Sequence, residues 1–348
     1  MSEASRFSRA AEGQLKRLIA IGLQLSGAVR RSRADRKRDL AVLLYHGVVG
    51  DLRGPAAYGD LFVSARDFAR HLDHLKRHYQ PLSLAAIVDA METKTPFPPR
   101  AVAVTIDDGY ENTVRVALPL LADAGIPATV FVSTDLVGTQ RYYWFDGLRL
   151  LVQRAWESRR AFDIGSGIRV LSASPSRQET QLMSLSRQIL DVPLPARSAV
   201  QSAIDQLIDR EGLLGRFPEF ALATWDDLRK AVAGGILSVG SHLLAHGDLT
   251  AMTHHDQASE LRASRDRIEQ ELGVACTTVA YPYGRFNGES PIAARDAGYR
   301  CAVTADPDFN EATDHPFRLK RVMVGDQGNM AILAARLSGS WQRLRRPS

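Results

Sequence analysis

The ten residues 101–110, AVAVTIDDGY, constrain this chain more than any other stretch. Val102, Ala103, Val104 and Ile106 form an apolar run that reads as a buried strand, and the run stops abruptly at Asp107, Asp108 and Gly109. Two adjacent carboxylates therefore sit at the C-terminal end of a core strand. Side chains alternate between the faces of a strand, but at its end the chain is turning, and glycine reaches dihedrals that other residues avoid. Both acids can then converge on one pocket. A plain Asp-Gly turn after a strand has the same pattern, so the chemistry at the other strand ends has to separate the two readings.

Those ends carry matching chemistry. Residues 39–49, DLAVLLYHGVV, read as a first buried strand with Tyr45 and His46 near its end, where α/β barrels place active groups. After Gly109 the pattern predicts a helix over 112–124, stopped by Gly125 and Pro127, and a strand over 128–133, which together make a parallel βαβ unit. A strand over 236–239 leads into Gly240-Ser241-His242 and, four residues on, His246. Two histidines at that spacing can face one ion, as zinc sites require. A helix over 256–272, ended by Gly273, leads to a strand over 277–280 and then Tyr281-Pro282-Tyr283-Gly284. Further strands are expected over 299–304 and 319–324.

Other features are weighed more blandly. Ser64 opens a helix with a Ser-x-x-Asp pattern to Asp67, its apolar face carrying Phe68, Leu72, Leu75 and Tyr79. His71, His74 and His78 flank that face, and without a carboxylate or cysteine to complete a ligand set they read as a solvated flank. A further helix is expected over 81–91. From 140 to about 223 the alternation of strands and helices lapses into mostly helical sequence opened by Tyr142, Tyr143, Trp144 and Phe145. That stretch reads as an insertion over the C-terminal face, either a packing subdomain or a lid that touches substrate. Cys276 and Cys301 read as free buried thiols.

Charge is segregated. Residues 1–39 hold ten Lys/Arg against four Asp/Glu and residues 336–348 hold four Arg and no acid, so with a total of +5 the intervening residues carry −5. A mildly acidic body with basic ends argues against a nucleic-acid-binding core. The apolar run 18–29 is too short to span a bilayer, which takes ~20 residues, and basic residues follow it where a secretory signal would have a cleavage site. The expected location is the cytoplasm or a cytoplasmic membrane surface, with the run either lying in a membrane interface, helped by anionic lipid, or forming a weakly ordered basic tail or a helix packed on the body.

Two histidines and one carboxylate would leave coordination positions open, as catalytic rather than structural zinc requires. An ion there would lower the pKa of water to ~7 and polarise a carbonyl, leaving the second carboxylate free to act as general base. In this respect the chain resembles the polysaccharide deacetylases of carbohydrate esterase family 4, over roughly residues 39–324 apart from the insertion. The resemblance implies a distorted (β/α)7 barrel as catalytic domain (39–325), flanked by basic segments over 1–38 and 326–348. It implies that Asp107 is the base, that Asp108, His242 and His246 hold a divalent metal, most simply Zn2+, and that the Tyr283 N–H steadies an oxyanion. Tyr281 and Pro282 would adjoin substrate; Trp144, apart from the resemblance, reads either as stacking on a sugar ring or as core packing. Leu-Leu-Tyr-His, Ala-Tyr-Pro-Tyr-Gly and the final basic strand look most like the branch acting on exopolysaccharides such as poly-N-acetylglucosamine.

Two positions depart from that family. Ala280 stands where many relatives have an arginine that positions the base, a role left to Arg321 or Arg285. Arg321 itself stands where many have the histidine that serves as general acid, and because arginine stays protonated, His46, then His315, is the better candidate. The implied reaction is hydrolysis of an N-acetyl group from a carbohydrate. Rival readings are a same-fold hydrolase of another amide or of an acetyl ester, a carbohydrate-binding protein that has lost its chemistry, and a membrane-surface scaffold.

Overall fold

Seven parallel strands carry the fold: β1 (Leu40–Tyr45), β2 (Ala101–Ile106), β3 (Ala128–Val132), β4 (Leu237–Ser241), β5 (Thr278–Ala280), β6 (Cys301–Val303) and β7 (Val322–Met323). They are known from a computed structural model that describes residues 4–35, 39–57, 61–325 and 328–341. Their order in the sheet is β6-β5-β4-β3-β2-β1-β7. The last segment joins the two ends of this curled sheet, since Val322 and Met323 pair with Leu43 and Leu44 of β1 while Leu319 bridges to Val303 of β6. The result is the expected distorted (β/α)7 barrel. A short strand, Gln80–Pro81, lies beside the first two residues of β2, below the point where β3 begins.

Strand parity divides the core. Ala41, Leu43, Tyr45, Val102, Val104 and Ile106 face the surrounding helices, whereas Leu40, Val42, Ala101, Ala103, Phe131 and Ala280 fill the barrel interior. The helix Leu84–Glu92 closes the interior from the N-terminal end through Leu84, Ile87, Val88 and Met91. Each fully buried Leu or Ile contributes about 1.5–3 kcal/mol by leaving water, which fixes the register strongly, because a one-residue slip would exchange the two faces. Continued past the strand ends, the same parity carries His46, Asp107, His242 and Arg321 into the barrel mouth.

Several local expectations hold to within a residue or two. Ser64 caps the helix Ala65–His78 by accepting from the Asp67 N–H, and Gly273 ends the helix His254–Leu272 in the left-handed conformation. Others differ. The strand expected over 39–49 breaks at His46, and Gly47–Val49 pairs instead with Phe62–Ser64. The helix after Gly109 starts with a π-helical turn, Thr113–Ala117, just ahead of Pro119, whose missing N–H removes an ordinary helical bond. His71 is no solvated flank: it is fully buried, its Nδ1 bonded to the Tyr45 hydroxyl and its Nε2 to the Gly328 carbonyl. Cys276 and Cys301 are buried free thiols, as expected.

The insertion folds as three helices, Trp144–Ser158, Pro175–Asp191 and Leu194–Arg210, around an apolar core that it shares with Val49, Phe62 and Tyr110 outside it. It is stitched to the barrel mouth by backbone: the Glu111 N–H donates to the Ala221 carbonyl and the Ala223 N–H to the Gly109 carbonyl. The stretch read as a C-terminal tail contains the helix Met330–Leu337, which packs against the N-terminal helix Ala4–Leu25. The remaining basic residues of that tail, Arg343, Arg345 and Arg346, lie outside the described residues.

Candidate active site

Asp107 follows β2 on the inward parity, and its N–H donates to the Tyr45 carbonyl. Its carboxylate takes a fork of two bonds from Arg321, Nη1 to Oδ1 at 2.7 Å and Nη2 to Oδ2 at 2.8 Å. Arg321 is itself fixed, Nε donating to the Thr304 carbonyl and Nη1 to Thr105 Oγ1. Burial alone would raise the Asp107 carboxyl, but the charge of Arg321 and the hydrogen bonds from it outweigh that and hold the group down at about 2. Of the two arginines expected to position this acid, the structure therefore selects Arg321. Arg285 pairs with Asp248 instead, at 2.9 Å.

Asp108 should face away from Asp107 by strand parity, yet its φ of +72° turns it back into the mouth. Gly109, at φ +67°, completes that turn where an added Cβ would stand 2.7 Å from Val132 Cγ1. The Asp108 carboxylate is buried, and neither oxygen has a hydrogen-bond partner. It lies 3.6 Å from Nε2 of His242 and 3.5 Å from Nε2 of His246. Donors held about 2.0–2.1 Å from a tetrahedral ion are about 3.4 Å apart, so this spacing fits one. Burial pushes both histidines down, His246 well below its ordinary value, and so keeps them in the neutral form that ligates. The Nδ1–H of His242 donates to the Ala280 carbonyl at 2.8 Å, which leaves Nε2 as the free lone pair. Burial and the neighbouring charges of Asp107 and Asp146 push the Asp108 carboxyl well above the usual carboxylate range, a cost that a bound cation would cancel. Orphaned carboxylate oxygens, neutral imidazoles and converging donors within 4.8 Å of one another all fit a divalent metal.

His46 is half-buried at the same mouth. Burial pulls it down to about 4, with Asp107 opposing and Arg321 and His242 adding to the shift, so it is neutral at pH 7. His315 lies elsewhere, its Nδ1 accepting from the Phe317 N–H and its charged neighbours being Arg318 and Arg295.

The remaining expected residues divide. Tyr283, at φ +59°, packs its ring edge-on against His246 at 4.6 Å between centroids. Trp144 does not present a face for a sugar: it is 8 % exposed, belongs to the insertion core, and its indole N–H donates to the Tyr283 hydroxyl at 2.8 Å. Half-buried Phe145, beside His246, is the more open of the two rings. Tyr281 also turns away, fully buried with its hydroxyl donating to the Phe317 carbonyl, because it stands one residue past the inward Ala280. Pro282 is buried and opens the short 3-10 turn that carries Tyr283.

Sequence reasoning missed a second layer beneath the Asp108, His242 and His246 triad. The Tyr143 hydroxyl donates to the Asp108 carbonyl at 2.7 Å, and the Tyr110 hydroxyl donates to Asp146 Oδ2 at 2.7 Å. Asp146 is fully buried, and burial raises its carboxyl to about 7 despite Arg149 and Tyr110. The clue was an acid placed directly after the aromatic cluster that opens the insertion.

Comparison with known proteins gives a consistent result. The family model for polysaccharide deacetylase matches residues 94–188 and 197–302. YxkH of Bacillus subtilis (strain 168) is 20 % identical over 294 residues, covering 84 % of this chain and 74 % of that protein. Among solved structures, the Streptococcus pyogenes deacetylase PplD in complex with acetate superposes with a TM-score of 0.57 at 18 % identity, covering 89 % of this chain and all of that one. IcaB from Ammonifex degensii gives 0.56 at 20 % identity, covering 87 % and 98 %. At such identities the structural likeness speaks for the fold.

Proposed function

Because the chain belongs to the polysaccharide deacetylase family, we propose that it is a metal-dependent hydrolase that removes N-acetyl groups from an N-acetylhexosamine-containing polysaccharide or its oligosaccharide precursor. The observation that carries this reading is the buried Asp108 carboxylate, unsatisfied by any hydrogen bond and within 3.6 Å of two neutral imidazoles. Zinc, the ion best suited to this donor set, would polarise the acetamide carbonyl and lower the pKa of the attacking water.

The chain's own groups supply the proton traffic. Asp107, kept ionised by Arg321, accepts the proton of the attacking water, and the Arg321 fork holds its carboxylate in one orientation. The Tyr283 N–H steadies the oxyanion as the carbonyl becomes tetrahedral. His46 is the donor to the departing amine. Since it is neutral at pH 7, it can donate only after receiving the proton taken from water. The C–N bond breaks, acetate leaves, and the sugar keeps a free amine. We take the acceptor to be an exopolysaccharide such as poly-N-acetylglucosamine; the similarly folded PplD is a deacetylase seen in complex with acetate, which supports an acetyl-removing reaction.

The test is acetate release from N-acetylglucosamine oligomers by chelator-treated protein before and after zinc is added. Zinc-dependent release that Asp107→Asn abolishes supports the proposal. Zinc binding at one ion per chain with release only from acetylated xylan would transfer the same machinery to ester hydrolysis.

A further inference from the structure

The N-terminal helix Ala4–Leu25 has two apolar sides. One packs on the body: Ala20 is buried and Leu23 half-buried against Ile332, Ala334 and Ala335 of the helix Met330–Leu337. The other is bare. Leu15, Leu18, Ile21 and Leu25 are 57, 66, 44 and 84 % exposed, and a Cβ added to Gly22 among them would meet no atom within 4 Å. With Ile19, these positions fall in one arc of about 160° on a helical wheel, away from Ala20. Five of the twelve large apolar side chains exposed among the described residues lie on this one arc, a concentration that a solvated helix does not need.

Positive charge predominates beside the arc. Arg17 is exposed on the same helix, and Arg30 and Arg31 are exposed on the next, Ala28–Asp35, which begins three residues after Leu25. Residues 1–39 carry ten Lys/Arg against four Asp/Glu. A second copy laid on the same apolar arc would bring two basic segments together, whereas an anionic surface would neutralise them. No described helix is long and apolar enough to cross a membrane, so an apolar contact here is peripheral.

We propose that this face lies in the interfacial layer of a bilayer containing anionic lipid, its leucines and isoleucines among the acyl chains and its arginines at the headgroups. The packing of Ala20 and Leu23 on the C-terminal helix holds the apolar arc outward, so the barrel is seated on the membrane rather than tethered by a loose arm. This inference does not depend on the catalytic reading.

Sedimentation of the full chain with vesicles tests it. Binding is expected to vesicles of equimolar phosphatidylcholine and phosphatidylglycerol, and to be at least about tenfold weaker to phosphatidylcholine alone. Leu18→Glu/Leu25→Glu, which changes two exposed positions and should keep the wild-type melting temperature, is expected to lose binding by a similar factor. Arg30→Gln, which leaves the apolar arc intact, should weaken binding about fivefold. Absence of binding by the wild type, or equal binding by the double variant, overturns the proposal. So does a wild-type dimer that ignores vesicles and becomes monomeric in the double variant, which would assign the arc to self-association.

Discussion

Arg321 and Asp107 stand 214 positions apart in the chain and meet through two hydrogen bonds, at 2.7 and 2.8 Å, inside the barrel mouth. The last segment of the sheet delivers the guanidinium, so closing the barrel and orienting the carboxylate of Asp107, the proposed base, are one event. Arg321→Lys keeps the charge but not the fork, and acetate release is expected to fall at least about tenfold with metal content unchanged. Arg321→Ala leaves a buried carboxylate unpaired and is expected to cost about 3–5 kcal/mol in urea unfolding. The sign of the pH dependence follows from a depressed acid. Against an ordinary value of 3.8, a folded value of about 2 means that the pair stabilises the fold above pH 4 and ceases to do so as pH falls through 2. In the lysine variant, whose carboxyl is less depressed, that loss should be smaller and complete at higher pH; an unchanged acid limb would remove the pair from the account.

His242→Ala removes one of three converging donors. Zinc at a hundredfold excess over its dissociation constant stabilises a native site by about 2.7 kcal/mol. Added zinc should therefore raise the melting temperature of chelator-treated wild type and leave that of His242→Ala where it was. Asp107→Asn, outside the triad, should retain the zinc-induced rise while losing about 10²–10⁴ in turnover.

Asp146 titrates in the opposite sense to Asp107. Its folded value of about 7 lies above its ordinary 3.8, so the folded state binds a proton that the unfolded chain has released, and stability falls as pH rises from about 4 to 7. Asp146→Asn keeps an acceptor for the Tyr110 hydroxyl and removes the buried charge. In metal-free protein the variant should gain on the wild type by up to a few kcal/mol above pH 7 and match it near pH 4, as read by urea unfolding. A constant difference across that range would mean that Asp146 does not titrate on unfolding.

Trp144→Phe keeps most of the packing and deletes the donor to the Tyr283 hydroxyl. A net hydrogen bond of about 0.5–1.5 kcal/mol is at stake. If the Tyr283 backbone steadies the oxyanion, turnover should fall about two- to tenfold with little change in KM. A rise in KM alone would instead place Trp144 against substrate.

Much of this was legible in the sequence because strand parity is strict. The run from Val102 to Ile106, His242 and the terminal stretch with Leu319 all declare which side chains enter the barrel. Parity fails where the backbone leaves the strand. Asp108 joins the triad only through its left-handed φ, and nothing in the residue types distinguishes Arg321 from Arg285 until the sheet closes on itself. Tyr281 and Trp144 misled for a related reason: an aromatic residue beside a motif is compatible with lining a pocket or with buttressing it, and only the direction of the ring decides. His71 was hidden because its partner carbonyl, Gly328, lies 257 residues away.

The insertion's returning segment, residues 221–223, pairs with the backbone immediately after the aspartate pair, through Glu111 to Ala221 and Gly109 to Ala223. An engineer could not exchange this insertion as a cassette. Any replacement would have to present an extended edge to Gly109 and Glu111 and a hydroxyl to the Asp108 carbonyl, or the turn that brings the two acids together would lose its brace. Changes that adapt the cover to a new acceptor are thereby coupled to the geometry of the proton-transfer step, and the two properties should drift together among variants selected for either one.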